Sequence, residues 1–310
     1  MLKHIEKFIQ ERPDGIIIIR GATATGKTAL SVDLARSFPI EVISADSRQI
    51  FRKMDIGTDK ISPEIRKKIP HHQIDIIDPD QHYTAGQRKD DTEKIIKDIQ
   101  KRGKIPFIVG GTGLYIDTIY KNFSMPSIGP DYNFREEMYL LEENHPGILR
   151  EKLNKIDPQE ASKLHPKSTR YIIRALEIFH QSGKTKTESF FSQAPTQEIL
   201  MIGLLRDKDE TNRRINARIK EMLKGGLIQE VQGLLDQGYD PSLQSMQGIG
   251  YKEVIMYLQG EITLEKCEEL LKRNTHYLAK KQRTRFRRYI ADSKSPQEKV
   301  QHLIINLENT

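Results

Sequence analysis

Ile16-Ile17-Ile18-Ile19-Arg20-Gly21-Ala22-Thr23-Ala24-Thr25-Gly26-Lys27-Thr28 is the stretch that decides how this chain folds. Four consecutive isoleucines ended by Arg20 and Gly21 read as a short strand buried on both faces, as in parallel sheets. Gly21 to Thr28 fits the pattern G-x-x-x-x-G-K-[ST]. Beyond it Leu30, Leu34 and Phe38 share one helical face, so strand, loop and helix follow in the order a phosphate-binding loop requires. The glycines let successive backbone N–H groups turn inward around a diphosphate, and the helix N-terminus adds partial positive charge. Gly21, Ala22, Thr23, Ala24, Thr25, Gly26, Lys27 and Thr28 are therefore candidate diphosphate-binding residues. Lys27 adds a point charge, and the Thr28 hydroxyl is placed to ligate Mg²⁺.

Outward from this loop, strands fit Glu41–Ser44 and residues 105–109, the latter stopped by Gly110-Gly111, with a charged helix over 84–102 between them. Alternating strands and helices predict an α/β fold: a P-loop NTPase-like core with a parallel sheet flanked by helices. The texture changes after Phe123. Helical stretches at 134–144, 147–155, 158–164 and 169–181 are punctuated by His145-Pro146, Asp157-Pro158 and His165-Pro166. These predict a mainly helical insertion. A strand at Ile199–Leu205 returns the chain to the sheet, and basic helices follow at 209–224, 227–236 and 263–290. The expected division is a first core part over 1–123, the insertion over 124–197, a second core part over 198–291, and a tail over 292–310.

The 310 residues carry 50 Lys and Arg against 43 Asp and Glu, a formal charge of +7, which favours a polyanionic partner without proving one. The single cysteine, Cys267, excludes an internal disulfide and a zinc cluster. The N-terminal segment lacks the apolar core of a signal peptide, and no run approaches the roughly 18 apolar residues of a membrane helix. A cytoplasmic monomer is the expectation.

A P-loop specifies phosphate, not a reaction. An ATPase needs a second carboxylate at the end of a neighbouring apolar strand. Ile74-Asp75-Ile76-Ile77-Asp78 interrupts its own apolar run, and the strand over 105–109 ends in Gly-Gly-Thr without an acid. That weighs against a motor or switch.

Further segments carry a resemblance. GATATGKT (21–28), ADSRQIFRKMDIGTDK (45–60), HHQIDIIDPDQHYT (71–84), FIVGGTGLYI (107–116) and GIGYKE (248–253) resemble the bacterial tRNA dimethylallyltransferases, in order from about residue 16 to 290. The resemblance implies that the P-loop takes the diphosphate of dimethylallyl diphosphate rather than ATP. It implies as acceptor the exocyclic N6 amine of the adenosine just 3′ of the tRNA anticodon, with Mg²⁺ as cofactor.

The roles it implies follow by position. Asp46 matches the family's catalytic carboxylate, and Lys27 and Thr112 join it as catalytic candidates. An adenine amine is a poor nucleophile because its lone pair is delocalised, so a carboxylate accepting its proton supplies what the reaction lacks. Ser47, Arg48 and Gln49, with Asp46 and Thr112, resemble the segment that reads the base and its neighbours. Arg135 and Arg174 in the insertion are tRNA-binding candidates, and Arg170 joins them although it lies one position from the family's basic slot. Gln247, Lys252, Lys280, Lys281, Gln282, Arg285 and Arg287 match tRNA-facing positions nearer the C-terminus. Arg214 and Arg218, four apart on one helix face, match arginines suited to clamp a departing diphosphate.

The chain departs from the family pattern in places. Ala22 stands where the P-loop usually has Pro. The insertion reads HPKSTRYIIRALE, with Tyr171 in an expected basic slot and Arg170 displaced by one position. Arg285 occupies a position where Trp is common. Two rivals stay open on the residues alone. One is a P-loop kinase of a small metabolite or nucleotide; the other is an RNA-binding P-loop protein without chemistry.

Overall fold

The computed structural model describes residues 1–125, 128–292 and 299–307. The chain divides into two compact units. One comprises Met1–Gln81, Asp91–Ile116 and Pro195–Thr310; the other comprises His82–Asp90 and Asp117–Ala194.

The chain opens with α1 (Leu2–Glu11), β1 (Ile16–Arg20), α2 (Lys27–Leu34), β2 (Ile40–Ala45), α3 (Pro63–Lys68) and β3 (His71–His72). Next come α4 (Ala85–Lys101), β4 (Ile105–Gly110) and α5 (Gly113–Tyr120). A helical run follows: α6 (Tyr132–Asn144), α7 (Ile148–Ile156), α8 (Pro158–Lys163), α9 (Thr169–Ser182) and α10 (Lys186–Ser189). The last elements are β5 (Ile199–Leu205), α11 (Lys208–Lys224), α12 (Leu227–Asp236), α13 (Tyr251–Leu258), α14 (Leu264–Asp292) and β6 (Val300–Asn306).

Among the described residues the first unit holds a six-stranded parallel sheet in the order β3-β2-β4-β1-β5-β6. The fold is α/β, as the alternation of elements predicts. Ile18 lies between Ile108 and Met201, and Ile16 to Ile19 are all fully buried. Such a strand has no solvent face, which explains why the run is continuous rather than alternating. On one face Ile17, Ile19, Phe107 and Leu200 pack with Ile5 and Phe8 of α1 and Leu34 of α2. α2 ends at Leu34, and Phe38 joins the core from the turn beyond it.

Two details aim the carboxyl edge of the sheet. A Cβ on Gly110 would lie 2.2 Å from the Ala45 carbonyl oxygen, so β4 passes β2 there only as glycine. Thr112 N then donates to that carbonyl at 3.0 Å. Arg20, at the end of β1, is 1% exposed and covered by α14, with its guanidinium carbon 4.8 Å from the centroid of the Tyr289 ring and 5.6 Å from that of Phe286. A terminal cation is thus buried by ring faces.

The sequence leaves α1, α13 and β6 unannounced, together with the short elements α3, β3, α5 and α10. Residues 292–310 read as a tail, yet Val300–Asn306 extends the sheet, pairing from Ile199↔Val300 to Leu205↔Asn306.

In the second unit Met138, Leu149, Leu153, Ile172, Ile173 and Leu176 form the core of the helical run. Asp157 caps α8 by accepting from Glu160 N at 3.0 Å, and Pro158 takes the first helical position, where its missing N–H costs nothing. Buried Glu177 accepts from Arg135 Nε and Nη2 at 2.7 and 2.8 Å, from Arg174 Nη1 at 2.5 Å, and from Asp131 N at 2.7 Å. This carboxylate fastens α6 to α9.

Candidate active site

The loop after β1 is shaped by its own side chains. Thr25 Oγ1 donates to the Ala22 carbonyl at 2.8 Å, and a Cβ on Gly21 would come within 2.7 Å of that hydroxyl. Ala24 at φ 61° and Gly26 at φ 99° turn the backbone into α2. Lys27 Nζ also donates to the Ala22 carbonyl, at 2.7 Å. Burial pushes its pKa down to about 8, the Asp46 carboxylate partly restores it, and Arg218 lowers it further. Thr28 is exposed in the first turn of α2.

Three distant side chains grip this loop. Arg214 Nε donates to the Ala24 carbonyl at 3.1 Å. Arg218 Nη2 donates to Thr23 Oγ1 and its Nη1 to Asp59 Oδ2, both at 2.6 Å. Gln282 accepts from Thr23 N at 2.7 Å and donates to the Gly111 carbonyl at 3.1 Å. Its amide joins the ends of β1 and β4, a use its expected place among tRNA-facing residues does not suggest.

Asp46 follows β2, the strand next but one to β1. Its Oδ1 accepts from Arg48 N at 2.8 Å, a side-chain turn that fixes the carboxylate's orientation. Thr112 Oγ1 accepts from Ser47 N at 3.1 Å. Lys27, Asp46, Ser47, Thr112, Arg214 and Arg218 are thus assembled at the carboxyl ends of β1, β2 and β4, where open parallel sheets bind ligands.

Arg48 and Gln49 turn inward. Arg48 Nη1 donates to the Gln244 carbonyl at 2.7 Å, and burial lowers its pKa. Gln49 accepts from Ser44 Oγ at 2.9 Å and donates to the carbonyls of Thr58 and Asp59, each at 3.3 Å. Both side chains organise the loop after Asp46.

Two residues that sequence reasoning missed complete that frame. Glu230 on α12 accepts from the backbone N–H groups of Asp55, Ile56 and Gly57 at 2.9, 2.7 and 3.1 Å, and from the Tyr251 hydroxyl at 2.6 Å. Lys60 donates to the Phe51 carbonyl at 2.6 Å, to Asp55 at 2.7 Å and to Asp75 at 2.5 Å. Asp75, which also accepts from Arg66 at 2.6 Å, is therefore committed to a structural ion pair. No short-range pattern marks Glu230, because the backbone N–H groups it holds lie more than 170 positions away.

The remaining candidates scatter. The Arg285 side chain lies across the start of α5: a Cβ on Gly113 would be 2.2 Å from its Cδ. Lys280, Lys281 and Arg287 are exposed on α14, with Lys281 Nζ 4.4 Å from the centre of the Tyr277 ring. Gln247 and Lys252 are exposed, and Gln247 Nε2 donates to the Pro241 carbonyl at 2.8 Å. In the second unit Arg170 is exposed, whereas Arg135 and Arg174 spend their guanidinium groups on Glu177.

Comparison with known proteins gives a consistent result. The family model described as IPP transferase matches residues 49–289, and one described as isopentenyl transferase matches 14–69. A tRNA dimethylallyltransferase of Pelotomaculum thermopropionicum is 43% identical over 282 residues, covering 90% of each chain. One from Thermotoga neapolitana is 44% identical over 272 residues, covering 88% of this chain and 89% of its own. Among solved structures, a tRNA isopentenylpyrophosphate transferase of Bacillus halodurans has a TM-score of 0.66 at 39% identity, covering 94% of this chain and 90% of that one. A eukaryotic dimethylallyltransferase described as acting on tRNA has a TM-score of 0.76 at 30% identity, covering 93% of this chain and 73% of that one.

Proposed function

The chain belongs to the IPP transferase family, and from that membership we propose that it transfers a dimethylallyl group from dimethylallyl diphosphate to the exocyclic N6 amine of the adenosine 3′ to a tRNA anticodon. The observation that carries this reading is the meeting of two half-sites. A P-loop gripped by Arg214 and Arg218 lies at the end of β1, and a carboxylate, Asp46, stands beside Thr112 at the ends of β2 and β4.

In the reaction the allylic C–O bond breaks, with its electron pair leaving on diphosphate. The amine nitrogen forms the new C–N bond and gives its proton to the Asp46 carboxylate. Lys27, Arg214, Arg218 and the loop amides meet negative charge that grows on the leaving group. Thr23 N is not one of those amides, because it already donates to Gln282 Oε1.

Among the described residues no three His, Cys, Asp or Glu side chains are grouped to hold a metal. A single hydroxyl such as Thr28 suits Mg²⁺, which keeps water and takes phosphate oxygens as its other ligands. Bound there, Mg²⁺ would neutralise diphosphate charge. The exposed cations of α14 suit an RNA backbone, and the target adenine must leave its stack to reach an allyl group. Among the described residues no helix is long and apolar enough to cross a membrane.

Incubation with unmodified tRNA, Mg²⁺ and labelled dimethylallyl diphosphate tests the proposal. Label should appear in tRNA as the N6-substituted adenosine, without ATP turnover. ATP-dependent phosphorylation with no prenyl incorporation would replace this reading with a kinase.

A further inference from the structure

Asp59 has no role in the reaction just described, yet the molecule fixes its position with care. Its backbone sits in the left-handed region at φ 53°, a conformation that costs a non-glycine residue free energy and persists only where its surroundings impose it. They do so from both sides. The Gln49 amide holds the carbonyls of Thr58 and Asp59, each at 3.3 Å. The next residue, Lys60, has a side chain only 2% exposed and is bound to Phe51, Asp55 and Asp75.

The carboxylate so presented meets Arg218 Nη1 at 2.6 Å, and Nη2 of the same guanidinium meets Thr23 Oγ1 at 2.6 Å. The two side chains are 55% and 24% exposed, and pairs this open to water contribute little to stability. A strained backbone is a poor exchange for so small a gain. It is well suited to something else: an arginine loses much rotamer freedom when ordered, and one already held in place contributes more to a charge that develops beside it.

We propose that Asp59 is a positioning residue for the diphosphate clamp, holding Arg218 against Thr23 so that the guanidinium meets the donor already oriented. Gln49 extends the arrangement, because its other end holds Ser44 on β2, the strand that leads into Asp46. The clamp is thereby tied to the strand that presents the catalytic carboxylate. The proposal rests on the reading of the P-loop as a diphosphate site.

The test compares Asp59→Ala, Asp59→Glu, Arg218→Ala and the Asp59→Ala/Arg218→Ala pair. The readouts are kcat, the KM values for donor and tRNA, calorimetric binding of inorganic diphosphate, and thermal melting as a check on folding. Asp59→Ala should weaken diphosphate binding and lower kcat, each about tenfold, with the tRNA KM unchanged, and Asp59→Glu should recover much of both. Added to Arg218→Ala, the second substitution should cost nothing more. Tighter donor binding with kcat intact would make Asp59 a competitor for the guanidinium and overturn the proposal. So would no change at all, or an equal loss in the Arg218→Ala background. If the protein bound inorganic diphosphate through Arg218 but failed to prenylate tRNA, the functional reading would fall, and the binding arm would still decide the role of Asp59.

Discussion

The Lys27 ammonium donates to the Ala22 carbonyl at 2.7 Å, so the P-loop cation is folded back onto its own loop. Its charge is already weakened by burial, with a pKa of about 8. A diphosphate would favour the charged form and raise that value. Donor binding should therefore take up protons at pH 8–9, and affinity should fall as pH rises through about 8. Calorimetry in buffers of different ionisation enthalpy reads the uptake directly. Proton release, or none, would show that Lys27 does not meet the anion.

Asp46→Asn keeps the turn to Arg48 N but removes the base. Transfer should fall by roughly two to four orders of magnitude, with diphosphate binding nearly unchanged. Normal turnover in single-turnover assays would remove Asp46 from the mechanism.

Lys27→Ala and Arg214→Ala act on the other half of the site. Both should raise the donor KM and slow departure of diphosphate, leaving tRNA affinity as it was. A variant Arg214→Ala that lost tRNA binding while keeping normal donor kinetics would mean the side chain serves RNA instead.

Glu177→Ala would leave two arginines, each about 30% exposed, facing an empty carboxylate site. Loss of the buried partner should cost about 3 kcal/mol, read by denaturant unfolding. Burial alone would raise the Glu177 pKa, but the bonds from Arg135 and Arg174 hold it below its ordinary 4.5. Its contribution to stability is therefore full above about pH 4.5 and is lost as pH falls through the depressed value. An acid transition that is the same in wild type and in Glu177→Gln would contradict this.

Exposed Arg287 and Lys281 on α14 are the cations that should report on RNA. Replacing each with Gln should raise the Kd for tRNA and flatten the log–log salt slope by somewhat under one unit, with donor affinity intact. Unchanged affinity and slope in both variants would make this face of α14 a solvated helix.

How much of this the sequence discloses depends on the reach of each interaction. The P-loop is local, so Gly21 to Thr28 were legible in one glance, and Ile199–Leu205 matches β5 at both ends because an uncharged run between polar neighbours has sharp edges. Arg135 looks like a surface cation in sequence because its partner Glu177 lies 42 positions away; Arg174 and Glu177 are three apart on α9, but nothing local reveals that this carboxylate is buried. Gln282 sits in a run of six cations over nine residues, which draws attention to RNA, while its partner Thr23 lies 259 positions away. The insertion was legible as helices, but which of its charges remain available to a ligand was not.

The sheet's outermost pairing also sets a schedule. β5 must wait for β6, which leaves the ribosome nearly a hundred residues later, after four helices have been made. Through that interval Ile-Leu-Met-Ile-Gly-Leu-Leu, paired with β1 on one side, stands at the margin of the nascent sheet with its outward peptide groups unpaired and no charge or proline to guard it. A chain caught at that stage offers other chains a strand to add to, and a holding chaperone an apolar segment to bind. Yield during rapid expression should therefore depend on how quickly residues 300–306 arrive.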